Sequence, residues 1–189
     1  LYGFFVGQDR KNVEHMIPQF SQGGTSLPDR DYYLKSDGRN AAIQEAYKNG
    51  ATIAGTSAGA AVMSKYMITG NQLTDTVYKP TFKKLITGNI EFKTGLGLIS
   101  NAIVDQHFVV RSRYNRLLSA LAAYPLLTCI GIDEEPAIIV QGNKIAVAGT
   151  GQVIVLKHPV NLKVTSSRLV KFTDVQFGIY TEGDSFLLP

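Results

Sequence analysis

Ala51-Thr52-Ile53-Ala54-Gly55-Thr56-Ser57-Ala58-Gly59-Ala60-Ala61-Val62-Met63 carries more structural information than any other stretch of this chain. Small and β-branched residues run into a serine with a glycine two positions to either side, and strong helix formers follow. That order reads as strand, tight turn, helix, with a strand over 51–56 and a helix over 57–67. G-x-S-x-G in that setting is the pattern of a nucleophile elbow: the serine hydroxyl points outward from a sharp turn and the glycines let neighbouring backbone approach. The same residues also read as a Gly/Ala-rich helix start with Ser57 as a plain N-cap. The two readings stay open until the rest of the chain is considered.

Working back from the elbow, Asn40 to Lys48 has a helical pattern, with Ala41, Ala42, Ile43, Ala46 and Tyr47 on one side and Asn49-Gly50 as a C-cap. Working forward, residues 69–100 alternate turn signals with short apolar pieces and read as a long surface excursion. Ala102-Ile103-Val104 reads as a buried strand that ends at Asp105-Gln106-His107, and a helix follows from about Val110 to Tyr124. Ile130-Gly131-Ile132 is another strand closed by acids, Asp133-Glu134-Glu135. Residues 136–156 read as antiparallel strands with a Gly142-Asn143 turn, and one more strand is expected within 168–180, before a Gly183-Asp184 turn.

Composition narrows the classes. The 189 residues, 44% hydrophobic and 18% charged, suit one ordinary globular domain with a sizeable core. No apolar run is long enough to span a bilayer. The formal charge of +4 is mild and the basic residues are spread along the chain, so nucleic-acid binding is not expected. Cys129 is the only cysteine, which excludes an internal disulfide and a cysteine zinc site; in its apolar run it reads as a packed core thiol. His158, before Pro159, reads as a turn residue. No cofactor is implied, a homodimer is compatible with the sequence, and nothing assigns a compartment.

Strand–helix alternation in the middle of the chain implies a partly parallel sheet, and such sheets bind ligands beyond the carboxyl ends of their strands. Ser57, His107 and Glu134 each lie at such an end, so one shared sheet is expected to bring them to one rim. A serine needs a base to lose its proton, and a histidine base needs a carboxylate to orient it. Spacing alone does not separate Glu134 from Asp133 or Glu135. The order serine, histidine, acid differs from that of α/β-hydrolases.

Gly55-Thr56-Ser57-Ala58-Gly59-Ala60-Ala61-Val62-Met63, Asp105-Gln106-His107-Phe108 with Arg111, Arg113 and Arg116, and Gly131-Ile132-Asp133-Glu134 together resemble the cyanophycinase family of serine peptidases over about residues 45–189. The resemblance implies an α/β fold: a class-I glutamine-amidotransferase-like, partly parallel sheet with flanking helices and a C-terminal antiparallel β extension. It implies Ser57 as nucleophile, His107 as general base and acid, Glu134 as its orienting acid, and the Ala58 N–H as an oxyanion donor. Asp105, Gln106, Arg111, Arg113 and Arg116 would line the substrate cleft. The implied substrate is cyanophycin, a polyaspartate carrying arginine on its side-chain carboxylates, cut to β-Asp-Arg dipeptides. Guanidinium forks that take carboxylates, and acids that take guanidinium groups, suit that polymer. An aspartyl dipeptidase and an inactive peptide-binding fragment are the alternatives.

Residues 1–44 depart from the family. Val6-Gly7-Gln8-Asp9, Ser21-Gln22-Gly23-Gly24 and Leu27-Pro28-Asp29-Arg30-Asp31-Tyr32-Tyr33-Leu34 resemble a non-catalytic stretch of neprilysin-like zinc metallopeptidases, while the H-E-x-x-H zinc motif is absent. The expectation is an irregular segment unrelated to residues 45–189, a hybrid made by fusion or by an assembly error. The N-terminal strands of the family would then be missing, along with its Gly-Gly-Asp-Gln turn and the second oxyanion donor that turn implies. Strand 51–56 would show an unpaired apolar edge.

Overall fold

The computed structural model describes residues 4–7, 37–74 and 84–189. Strand β1 (Phe4–Gly7) and helix α1 (Asp37–Lys48) come first, and α1 closes through Gly50 at φ 95°. Strand β2 (Ile53–Gly55) then leads into a single helical turn, α2 (Ala58–Ala61). Beyond it lie β3 (Tyr66–Gln72), β4 (Ile90–Thr94), β5 (Ala102–Gln106), α3 (Tyr114–Ala123) and β6 (Thr128–Ile132). The chain finishes with β7 (Ala137–Gln141), β8 (Lys144–Ala148), β9 (Val153–Val160), β10 (Lys163–Val164), β11 (Val170–Lys171), β12 (Asp174–Tyr180) and β13 (Ser185–Leu187).

These strands form two main sheets. One runs β13-β8-β7-β1-β2 and the other β12-β9-β6-β5, with β3-β4 and β10-β11 as separate pairs. Within the main sheets only β1–β2 and β5–β6 are parallel; the other pairs, such as β7–β8 and β6–β9, are antiparallel. The two sheets face each other across a shared core. Ile138, Val140, Ile145, Val147 and Phe186 of the first meet Val104, Ile130, Ile132, Val153 and Val155 of the second. Alternate residues of the second sheet, Ile103, Cys129, Ile154 and Leu156, point the other way and pack under Leu117, Ala120 and Leu121 of α3. The period-2 split explains why β5 and β6 read as unbroken apolar runs: both faces are covered.

Several expectations need correction. The elbow helix was expected over 57–67 but ends at Ala61, because Met63 to Lys65 leave the helix to join the chain before β5, through Ile99 N–H to Met63 O at 2.9 Å and Lys65 N–H to Ile99 O at 2.9 Å. Residues 69–100 are not purely a surface excursion: β3 and β4 pair antiparallel and bury Met67, Ile68 and Ile90. Helix α3 begins at Tyr114 rather than near Val110, since His107 and Ser112 hold positive φ and break the helical path. His158 lies within β9 at φ 55°, beside a register shift between Asp174 and Gln176, so it marks an irregular strand rather than a turn.

The irregular reading of residues 1–44 fails at Phe4–Gly7. That strand is inserted between β2 and β7, pairing Val6 with Gly55 and Val6 with Ile138. Four residues are too few to show a period, so its β-prone Phe-Phe-Val was legible only as composition. Among the described residues β2 therefore has one partner strand, β1, and stands last in its sheet. The Leu27–Leu34 run and Ser21–Gly24 lie outside the described residues.

Candidate active site

Ser57 occupies the bend between β2 and α2 with φ 52° and ψ −118°, a conformation that L-residues adopt only under constraint. The constraint is visible on either side. A Cβ on Gly55 would lie 2.3 Å from the carbonyl oxygen of Gly59 and 2.7 Å from Met63 Cε, so the turn closes only over a bare glycine. Ala60 and Met63 are buried in the core between the sheets, and the Ser64 hydroxyl accepts the N–H of Val104 at 2.9 Å. The elbow is thus sewn to β5, the strand that delivers His107.

Ser57 makes no side-chain cap bond to its own helix. Its Oγ lies 3.1 Å from His107 Nε2 instead. On the far side of the ring, His107 Nδ1 is 2.8 Å from Glu134 Oε1. Because a carboxylate only accepts, Nδ1 carries the proton and donates to Glu134, leaving Nε2 to accept the Ser57 hydroxyl. The plain N-cap reading of Ser57 is excluded by this geometry.

The three acids after β6 have separate tasks. Glu134 takes the imidazole, Asp133 Oδ1 accepts the N–H groups of Val109 and Val110 at 3.1 Å each, and Glu135 accepts the Thr150 hydroxyl at 3.1 Å. The ambiguity left by their adjacency in sequence is resolved by these partners.

Burial holds the His107 pKa below the ordinary 6.5, opposed by the hydrogen bond to Glu134; the charges of Arg111 and Arg113 lower it further, and that of Glu134 raises it. A neutral imidazole is therefore the prevailing form near neutral pH, as proton acceptance requires. Glu134 is about half exposed, at 49%, against 19% for His107, so the relay opens to solvent at its acid end.

Shared-rim geometry needs one correction. Ser57 follows a strand of the first sheet, whereas His107 and Glu134 follow β5 and β6 of the second. They converge because the two sheets pack face to face and the Met63–Lys65 turn bridges them, not because they lie along one rim.

Comparison with known proteins adds an independent line. The model of peptidase family S51 matches residues 32–148. The chain belongs to peptidase family S51. A cyanophycinase of Trichormus variabilis is 38% identical over 143 residues, 72% of this chain and 45% of its own length. One from Nostoc sp. has the same values, and one from Geminocystis herdmanii is 41% identical over 106 residues, 56% of this chain and 36% of its own length. The chain thus spans less than half the length of these relatives. Among solved structures, a peptidase from an acI-B1 actinobacterium superposes with a TM-score of 0.50 at 23% identity, covering 78% of this chain and 50% of that one, a likeness of fold.

The residues expected to line a substrate cleft divide. Asp105 is only 1% exposed and is gripped by Arg116, whose Nε donates to Oδ2 at 2.7 Å while Nη2 donates to Oδ1. Arg113 is also buried; it donates to the carbonyl and the side-chain oxygen of Gln106, the latter at 3.1 Å, and lies 3.8 Å from Asp105. The structure therefore places Asp105, Arg113 and Arg116 in an internal ionic cluster behind His107, with Gln106 half-buried beside it. Only Arg111 of the five is exposed. The physical reason is that Asp105 points into the layer under α3, where an unpaired carboxylate would be costly.

Two contributions went unread in the sequence. In the sequence Asp133 reads only as a rival of Glu134, with nothing to signal its hold on Val109 and Val110. Gly131 presents bare backbone to the Phe108 ring, since a Cβ there would lie 2.4 Å from the ring carbons. A glycine inside an apolar strand was the available signal. Cys129, as expected, is a buried core thiol whose pKa is pushed up chiefly by burial. No described helix is long and apolar enough to cross a membrane.

Proposed function

We propose that this chain is a serine-type exopeptidase of the cyanophycinase kind, releasing β-Asp-Arg dipeptides from cyanophycin. The observation that carries the reading is the convergence of Ser57, His107 and Glu134, at 3.1 and 2.8 Å, at an elbow whose serine is forced outward. Ser57 Oγ attacks the scissile carbonyl while its proton passes to His107 Nε2. The imidazolium, held by Glu134, then returns that proton to the departing amine. The Ala58 N–H, first of its helix and without an intrahelical acceptor, donates to the oxyanion. Water, deprotonated by the same imidazole, hydrolyses the acyl-enzyme.

The second oxyanion donor implied by the family resemblance belongs to a Gly-Gly-Asp-Gln turn that residues 1–44 do not spell. Loss of one donor typically lowers the rate by about a hundredfold to a thousandfold, so residues 1–189 working with the Ala58 N–H alone should turn over more slowly than a cyanophycinase by that factor.

A second reading, an aspartyl dipeptidase acting on short α-linked peptides, is favoured by the state of the arginines. The preference for an arginine-bearing polymer rests on Arg111, Arg113 and Arg116, and two of these are turned inward to Asp105. Purified protein incubated with cyanophycin and with a panel of Asp-X dipeptides separates the two. A fluorophosphonate that labels wild type but not Ser57→Ala supports both; no labelling, with no turnover of either substrate, leaves an inactive peptide-binding fragment.

A further inference from the structure

The segment from His107 to Val110 is neither strand nor helix, yet it must hold an imidazole within hydrogen-bond reach of two partners. His107 itself takes φ 50°, a region that favours glycine, and it is not stabilised by a regular ladder. Its own turn closes through Arg111 N–H to His107 O, Ser112 N–H to Val109 O and Arg113 N–H to Phe108 O, and the tail of β6 fixes that turn to the sheet. Phe108 N–H donates to Ile132 O at 3.2 Å, and the Phe108 ring rests on the bare backbone of Gly131. Asp133 Oδ1 then collects two successive N–H groups, those of Val109 and Val110, at 3.1 Å each. Residues 131–134 therefore grip residues 107–110 one after another, and Glu134 holds the imidazole at the end of that series.

We propose that Asp133 is a positioning residue for His107, its single oxygen acting as the clasp that keeps the 107–110 hook closed over β6. This rests on the reading of His107 as general base. The hydrogen bonds of the imidazole go to Ser57 and Glu134, and Asp133 acts on it by removing the freedom of the two residues that follow Phe108. Two amide donors on one carboxylate oxygen make a charge-assisted pair, stronger than neutral bonds of the same length. A displacement of about 1 Å in a reacting group costs as much as a hundredfold in rate, so a clasp of this kind governs turnover without contacting the chemistry.

Asp133→Ala and Asp133→Asn separate the acceptor from the charge, because the asparagine oxygen still accepts both N–H groups while the negative charge is lost in both variants. Labelling by a fluorescent fluorophosphonate is expected to slow by about tenfold to a hundredfold in Asp133→Ala. In Asp133→Asn, which keeps the acceptor but only neutral bonds, the loss is expected to be several-fold smaller than in Asp133→Ala. Equal rates in all three proteins, or equal losses in both variants, overturn the proposal.

An NMR titration of the His107 imidazole supplies a readout that needs no activity. The groups acting on the ring are Ser57 from the elbow, Glu134 from the β6 tail, and the charges of Arg111 and Arg113 from the turn between His107 and α3. A loosened hook exposes the ring, so the imidazole should titrate at higher pH in Asp133→Ala than in Asp133→Asn; coincident titrations overturn the proposal. Should Asp133→Ala not fold, Asp133→Ser replaces it, since the shorter side chain cannot reach both amides. Wild-type protein that resists labelling while its His107 titration follows the expected order would defeat the enzymatic reading alone.

Discussion

Two polar clusters stand back to back at the end of β5, and they use the same side-chain chemistry for opposite ends. Ser57, His107 and Glu134 form a relay that opens to solvent, with Glu134 about half exposed. Asp105, Arg113 and Arg116 form an ionic knot with Asp105 only 1% exposed. The relay contains one donor–acceptor link per partner and keeps one hydroxyl available. The knot engages both oxygens of its carboxylate and buries it away from any solvent-borne substrate. A buried charge without partners is costly, so the sealed cluster is built for mutual neutralisation, whereas the open one tolerates a transient charge because solvent and Glu134 can share it.

The contrast can be broken most sharply at Ser57. In a family with this chemistry, Ser57→Ala is expected to lower turnover by roughly four to six powers of ten while the thermal unfolding midpoint hardly moves. Retention of turnover would mean that the relay is not what it looks like. Glu134→Gln should cost on the order of a thousandfold to ten-thousandfold, since the amide no longer enforces the tautomer. It should also move the acid limb of the rate profile to lower pH, because both effects of Glu134 on His107 raise the imidazole pKa.

The knot should respond in the other currency. Asp105→Ala leaves two buried guanidinium groups without their acid and is expected to destabilise the fold by about 3–5 kcal/mol, read from denaturant unfolding. Replacing Asp105 and Arg116 together by apolar residues should recover much of that loss, which a substrate-binding pair would not do for activity. If Asp105→Ala instead raised KM with stability unchanged, the division between the two clusters would be wrong.

The smallest expected effect is at Arg111. Its charge lowers the His107 pKa, so Arg111→Ala should shift the acid limb of turnover upward by a fraction of a unit, and added salt should mimic it because Arg111 is exposed. The depressed value has a stability counterpart. A group that binds its proton less readily when folded contributes stability above about 6.5, its ordinary value, and that contribution is lost as pH falls through the lower folded value. A rise in stability on acidification through this window would contradict it.

How much of this was legible beforehand depends on how local the cause is. The elbow announced itself because a sharp strand-to-helix turn has few solutions, and Gly55 is required wherever the Gly59 carbonyl passes 2.3 Å from its missing Cβ position. β5, β6 and the β7–β8 hairpin were legible for the same reason: apolar runs and a Gly142-Asn143 turn are short-range signals. The β3–β4 pair is hard to read because the start of β3, Tyr66-Met67, continues the helical pattern of 57–67, and β4 buries only Ile90. The fates of Arg113 and Arg116 were invisible too, because a helix start rich in arginine looks alike whether its partners are a ligand or Asp105.

What the amino-acid order determined by itself was the set of groups and their places at strand ends: a hydroxyl at 57, an imidazole at 107 and three acids from 133 to 135. Local steric and propensity rules suffice for that. The closed fold was needed to show that two facing sheets, bridged at Met63–Lys65, bring these groups together, that Asp133 clasps backbone while Glu134 meets the ring as the family resemblance implies, and that Asp105 turns away from it. Those outcomes hang on pairings between residues far apart in the chain, whose free energies come from burial and desolvation, and such terms take values only after the layers have closed on each other.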